Sequence, residues 1–379
     1  RNSLCHTLNN IACSQGHYTM STSPLPPNST SGTDRRKIKR RRSSSVGKRR
    51  KSLEPPSDEI GDRSLLSLSN DDIDYDMEDQ HLRFDNVVKV FATVQEPDFV
   101  TPWQTLGVES ATGSGVVIET PQNGKLLILT AAHVISDSTF LQCQRVGVEN
   151  PDKHIASVFA VCHEADLALL EVDVDKDDEF WQDLEPAKLL EDCPLLRSVV
   201  LVAGFPVGGE ELSITEGVVS RIEGQSYSHS QRYLLAVTVD AAINEGNSGG
   251  PVFNDSGGLV GIAFQALQGA ENTGHIIPPP VIKHFIKGVT TLSGPDEYKG
   301  YPADGIKMQQ LTNSCLRSYY NLSDSIRGVL VTDVFYNNTC HGILQKNDIL
   351  THVDGRSVAN NGTVAYGKYG RGDVSIIFT

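Results

Sequence analysis

No C-x-x-C pair, no long apolar run and no phosphate-binding loop occurs in this 379-residue chain. The 7 cysteines (Cys5, Cys13, Cys143, Cys162, Cys193, Cys315 and Cys340) are odd in number and widely spaced. That argues against a disulfide framework or a zinc ribbon and fits reduced thiols. No stretch approaches the roughly 18–20 consecutive apolar residues of a membrane span, so we expect a soluble chain with no membrane partner. Neither H-E-x-x-H nor a Walker-type loop is present. The acidic stretch 173–186, with Phe180 and Trp181 inside it, lacks the spacing and the glycine of an EF-hand. We read it as a solvated loop and expect no metal and no cofactor.

Charge is unevenly placed. The net charge is −14, yet 11 of the 33 Lys and Arg side chains fall in residues 35–51, a run with no acid. It has two clusters, 35–42 and 48–51, split by Ser43, Ser44 and Ser45. Clustered Lys/Arg of this kind suggests a nuclear address or a nucleic-acid contact, in preference to a solvated arm of no fixed role. The body of the chain is acidic, which disfavours a broad phosphate-binding surface, so nucleic acid is not the expected partner. We take the nucleus as the indicated compartment, with cytoplasm or an organelle as alternatives. Residues 1–80 have little apolar periodicity and read as a disordered tail.

From residue 84 the pattern changes. Alternation over 87–94 predicts a strand. Short apolar runs then recur at 115–118, 126–129, 156–161, 168–172, 198–203, 216–222, 234–239, 251–253 and 259–264, with turn signals such as Asn123-Gly124 and Gly257-Gly258 between them. Short, closely spaced strands of this kind predict an all-β sandwich or barrel.

The chemistry concentrates at Gly246-Asn247-Ser248-Gly249-Gly250-Pro251, a glycine-dense turn between apolar runs. Turn statistics alone explain glycine, asparagine and serine there. The functional reading is that the glycines free backbone N–H groups to meet a developing oxyanion. Ser248 is then the nucleophile, and the amides of Gly246, Asn247 and Ser248 are the donors. Upstream, His133 follows the apolar run Leu126–Leu129 and Asp166 opens a second apolar strand. Singly, these read as a core histidine and a turn carboxylate. Together, in the order His133, Asp166, Ser248, they match the chain order of chymotrypsin-type catalysis.

The motifs Thr130-Ala131-Ala132-His133-Val134, Asp166-Leu167-Ala168-Leu169-Leu170 and Gly246–Pro251, with Gly113-Ser114-Gly115 opening the domain, resemble the HtrA/DegP serine proteases. Asp240–Asn244 and Val260–Gln265 are similar to the plant-type Deg branch. The resemblance covers about residues 84–379. It implies a chymotrypsin-like double β-barrel over 84–287, a linker over 288–304, and a PDZ domain over 305–379, incomplete at its C-terminal end. It implies an ATP-independent serine endopeptidase acting on protein or peptide substrates, assembled as a homotrimer or larger. Phe91, Phe99 and Trp103 are candidates for the assembly contact. Ala263, Phe264, Gln265 and Ala266 are expected to line the specificity pocket; with no acid in 259–270, small or medium apolar P1 residues are expected. Departures from the branch are the proline-rich 276–280 and a lengthened hairpin at 119–125. The alternative is a catalytically silent HtrA-like chaperone or peptide-binding scaffold.

Overall fold

The computed structural model describes residues 84–145, 152–173, 177–266, 273–291, 298, 300–302 and 305–378. The tail with its basic run, and most of the linker expected at 288–304, lie outside the described residues. Two closed six-stranded barrels dominate, as the strand spacing predicts. The first holds β1 (Val87–Val94), β2 (Glu109–Glu119), β3 (Leu126–Thr130), β4 (Ser138–Arg145), β5 (Lys153–Cys162) and β6 (Leu167–Val172), in the order β1-β2-β3-β6-β5-β4. A single-turn helix α1 (Ala132–Ile135) follows β3, and another, α2 (Asp178–Trp181), follows β6. The second barrel holds β7 (Val199–Gly204), β8 (Ser213–Ser226), β9 (Tyr233–Val239), β10 (Pro251–Asn254), β11 (Leu259–Ala266) and β12 (Gly274–Ile277), in the order β10-β11-β12-β9-β8-β7. All pairings within the barrels are antiparallel.

The apolar runs of β3 and β6 show why the two barrels pack as they do. A half-buried strand alternates, whereas a strand covered on both faces is apolar throughout. Ile128, Ala168 and Leu170 point into the first barrel's own core. Leu127, Leu129, Leu167 and Leu169, on the opposite face, join a cluster continuous with Val200, Val237, Val252 and Ile262 of the second barrel. Burying such side chains contributes roughly 1.5–3 kcal/mol each, so the seam between barrels is part of the core.

Two strands escape the sequence pattern. In β4 only Leu141 and Cys143 turn inward, too few for a periodic signal. In β12 all four residues are buried, directly before prolines. Those prolines have a plain use: Pro279 opens helix α3 (Pro279–Thr291), a position where a missing N–H costs nothing. Val281, Ile282, Phe285, Ile286 and Val289 of α3 are buried against the second barrel. The helix runs into the range expected as linker.

Beyond it lies a smaller body. β13 (Ile306–Gln310), β14 (Val329–Val334) and β15 (Ile349–Leu350) form a sheet in the order β13-β14-β15, with helix α4 (Ser314–Tyr319) capped by the Asn313 side chain. Ile306, Val329, Val331, Leu344, Leu350, Val358 and Val364 make its core. Its last turn reaches the second barrel, where Ile376 joins the large cluster and the Tyr369 hydroxyl donates to the Cys193 carbonyl at 2.9 Å. Phe99 and Trp103 are exposed at 87% and 79%, while Phe91 lies under the Lys153 ammonium at 3.7 Å from the ring centroid. No helix among the described residues is long and apolar enough to cross a membrane.

Candidate active site

The turn of helix α1 carries His133 from the end of β3 toward the seam. Asp166 meets it from the turn before β6. One Asp166 oxygen accepts the His133 main-chain N–H at 2.8 Å, and the other lies 2.7 Å from Nδ1 of the same residue. Asp166 is fully buried and His133 is about one-third exposed. The carboxylate therefore fixes the ring's position and, by accepting at Nδ1, leaves Nε2 free to take a proton. Asp166 has φ 53°, in the left-handed region, where Asp is among the few side chains tolerated. Its amide closes the turn on the His163 carbonyl at 3.3 Å.

Ser248 comes to the same seam from the second barrel. Its carbonyl accepts the Ser114 amide of β2 at 2.9 Å. The following residue is pressed against the strand that leads to His133: a Cβ on Gly249 would lie 2.3 Å from Thr130 Oγ1 and 2.8 Å from the Ala131 amide nitrogen. Gly113 sits between Val134 and the Ser248 carbonyl. Hence the serine turn and the histidine helix share one wall, and all three sequence-predicted residues gather there. The Ser248 hydroxyl makes no hydrogen bond among the described residues, to His133 or otherwise. Such contacts are often long before substrate binds.

The proposed oxyanion donors divide. Among the described residues the amides of Gly246 and Ser248 donate to no protein acceptor. Asn247 differs from the expectation: its amide donates to the Asn244 carbonyl at 3.0 Å and closes the turn, so it is not free to bind an oxyanion. Gly246 and Gly249 both have positive φ, 94° and 81°.

Of the residues expected around the specificity pocket, Ala263 and Phe264 are buried, and the Phe264 ring packs on Tyr227 at 4.4 Å between centroids. Ala263 instead contributes backbone, accepting the Gly249 amide at 2.7 Å and donating to the Gly250 carbonyl at 2.9 Å. Gln265 is partly exposed and accepts the Ser228 amide at 2.9 Å. The side chain of Ala266 lies outside the described residues.

Sequence reasoning missed two histidines. His163 Nδ1 and His229 Nε2 share a hydrogen bond of 2.8 Å, and the His229 ring lies 6.3 Å from that of His133. Burial lowers the His229 pKa, which keeps the imidazole neutral at pH 7. The signal was present for His163, three residues before Asp166, but nothing in the β8–β9 loop marks His229. Burial pushes the thiols of Cys143 and Cys193 each up to about 12, so neither is a rival nucleophile. A cavity of about 600 Å³ between Ile118, Leu189, Lys283 and Ile286 is lined by none of the three site residues.

Against known proteins, residues 113–262 match the family model for a trypsin-like peptidase domain. Protease Do-like 4, mitochondrial, from Arabidopsis thaliana is 40% identical over 281 residues, 74% of this chain and 51% of that protein. Putative protease Do-like 6, chloroplastic, from the same plant is 39% identical over 165 residues, 44% of this chain and 70% of that protein. The solved structure of an HtrA-type protease, AlgW, with a tripeptide superposes with a TM-score of 0.54 over 72% of this chain and 81% of that one. At 22% identity that match speaks for the fold. The chain spans about half the length of the first curated relatives it matches.

Proposed function

The chain belongs to the HtrA/Do-like family of trypsin-type serine proteases, and we propose that it hydrolyses peptide bonds by acyl transfer through Ser248, His133 and Asp166. Ser248 Oγ attacks the substrate carbonyl carbon while His133 Nε2 takes its proton. Asp166 holds the tautomer and offsets the imidazolium charge. The amides of Gly246 and Ser248 receive the oxyanion. His133 then gives its proton to the leaving amine as the C–N bond breaks, and water repeats the sequence to release the acid. No step uses ATP, a metal or a cofactor. The observation that carries this reading is the two-point Asp166–His133 contact beside the Gly246–Gly250 turn.

We further propose protein and peptide substrates with small or medium apolar P1 residues. The body over 305–379 is proposed as a PDZ-type peptide binder. The outer edge of β13, which among the described residues pairs only with β14, is the place for an added strand. A homotrimer or larger assembly is proposed with the exposed Phe99 and Trp103 in its contact. For compartment, the names of the relatives point to mitochondrion or chloroplast, so an organelle is proposed; the nuclear address suggested by residues 35–51 has no counterpart in those names.

The test is casein hydrolysis and labelling by a fluorophosphonate, wild type beside Ser248→Ala. Cleavage and labelling that both vanish in the variant are expected. Absence of both in the wild type would favour the silent scaffold.

A further inference from the structure

Ser114 lies on β2 in the first barrel, yet its hydroxyl and its amide both reach across the seam. Its side chain is fully buried. The hydroxyl donates to the Gly246 carbonyl at 2.7 Å and accepts the Phe205 amide at 2.9 Å. Its amide donates to the Ser248 carbonyl, and its own carbonyl accepts the Thr130 hydroxyl at 2.7 Å. Two residues after Phe205, the Val207 amide donates to the Glu245 carbonyl at 2.8 Å.

These bonds set the two peptide planes that meet at Gly246. In a trans peptide the C=O and the following N–H point in opposite directions. Once Val207 holds the Glu245 carbonyl, the Gly246 N–H must face the other way, and there it has no protein acceptor. Once Ser114 holds the Gly246 carbonyl, the Asn247 N–H turns back to Asn244. A Cβ on Gly246 would stand 2.3 Å from the Phe205 carbonyl, so the turn has no slack on that side. Remove the Ser114 hydroxyl and two buried groups, the Gly246 C=O and the Phe205 N–H, lose their partner at once. Buried polar groups do not stay unpaired without cost. The available remedy is rotation of the peptide that carries the Gly246 carbonyl, which turns the adjoining Gly246 N–H away from the place the chemistry needs.

We infer that Ser114 is a positioning residue: through its hydroxyl it locks the Gly246 peptides so that the Gly246 N–H, beside that of Ser248, is preset for a tetrahedral oxyanion. The inference rests on the serine-protease reading above. It touches no substrate atom and acts only through Gly246.

The experiment compares wild type, Ser114→Ala, Ser114→Cys and Ser248→Ala as full chains. It measures kcat and KM on one peptide substrate, affinity for a peptidyl boronate, and Tm. A boronate forms a tetrahedral adduct whose oxygen takes the oxyanion's place. Loss of one such donor costs about 10²–10³ in kcat. We expect Ser114→Ala to lose at least about tenfold in kcat and a similar factor in boronate affinity, with KM held within about twofold. Ser114→Cys, of similar shape and a weak donor, should fall between; it also serves as the readout if Ser114→Ala does not fold. Equal kcat and boronate affinity in wild type and both variants would overturn the inference while leaving the protease reading intact. So would parallel losses in kcat, KM and Tm, which mark general loosening. A wild type that neither cleaves nor binds boronate would overturn the protease reading, and this inference with it.

Discussion

Asp166→Asn separates orientation from architecture. Asn is nearly isosteric with Asp and shares its tolerance of the left-handed backbone found at this position, φ 53°. The turn before β6 should therefore survive. The chemistry should not. Both Asp166 oxygens are needed, one by the His133 amide at 2.8 Å and one at 2.7 Å from the ring Nδ1. A carboxamide offers one acceptor and one donor group. If its oxygen keeps the main-chain N–H, its NH2 faces Nδ1 and forces the imidazole proton onto Nε2. That nitrogen can then take nothing from Ser248. In the reverse orientation the NH2 opposes the His133 N–H, donor against donor. The wrong tautomer costs such triads about 10⁴ in kcat, or about 5.5 kcal/mol at 1.36 kcal/mol per decade. The loss of stability is smaller: one hydrogen bond to a charged group is worth about 1.5–3 kcal/mol. At about 2–4 °C per kcal/mol for a domain of this size, Tm falls by several degrees. The assay is steady-state peptide hydrolysis with circular dichroism and thermal melts on the same preparations. A variant that melts normally and keeps kcat within tenfold of wild type would refute the tautomer argument.

Further outcomes follow from other residues. Gly249→Ala places a Cβ 2.3 Å from the Ser114 carbonyl oxygen in a residue with φ 81°; strain of about 1–3 kcal/mol is expected from the backbone alone, with casein cleavage lost, and wild-type Tm and rate would contradict it. Acid should destabilise the fold through buried imidazoles: burial lowers the pKa of His229, His275 and His284 below the ordinary 6.5. The unfolded chain then binds more protons, so their stabilising contribution is full above pH 6.5 and is lost as pH falls through the lowered folded values. Urea midpoints should drop below pH 6.5, and His275→Gln should flatten the slope; an unchanged slope would count against the burial argument. Among the five described thiols only Cys315 is exposed, so Ellman's reagent should modify it ahead of Cys143, Cys162, Cys193 and Cys340, and rapid modification of Cys143 would show that the first barrel's core is open.

The sequence made the barrels legible where strands are covered on both faces. Residues 126–129 and 168–172 are apolar without a break because one face fills the first barrel and the other fills the seam. β4 was illegible because just two of its side chains, Leu141 and Cys143, are buried, and β12 because prolines follow it directly. His133, Asp166 and Ser248 were legible because each is framed by residues with their own constraint: small residues that let the Ser248–Gly249 backbone approach Thr130 and Ala131, an aspartate at a left-handed turn, glycines where no Cβ fits. Around the expected pocket residues the pattern is harder to read: the register shift between Ala263 and Gln265 breaks the alternation that sequence spacing assumes, and the Phe264 ring packs on Tyr227.

What one-dimensional reading could not supply is the direction of each peptide in the Gly246–Gly250 turn. The glycines permit many conformations and select none; selection comes from partners distant in the chain. The Gly246 carbonyl answers to Ser114, 132 residues away, and the Glu245 carbonyl to Val207. Each of those partners looks ordinary in its own segment: a serine between glycines, an amide after a proline. Their role exists only because β2 and the end of β7 arrive at the same turn from different barrels. A donor that must be preset before charge develops therefore depends on the packing of the seam as a whole. It follows that changes in the side chains that fill the seam, such as Leu129→Ala with its cost of about 2–5 kcal/mol, should lower kcat as well as stability. Changes of equal cost inside the first barrel, such as Ile128→Ala at about 2–5 kcal/mol, should lower stability alone.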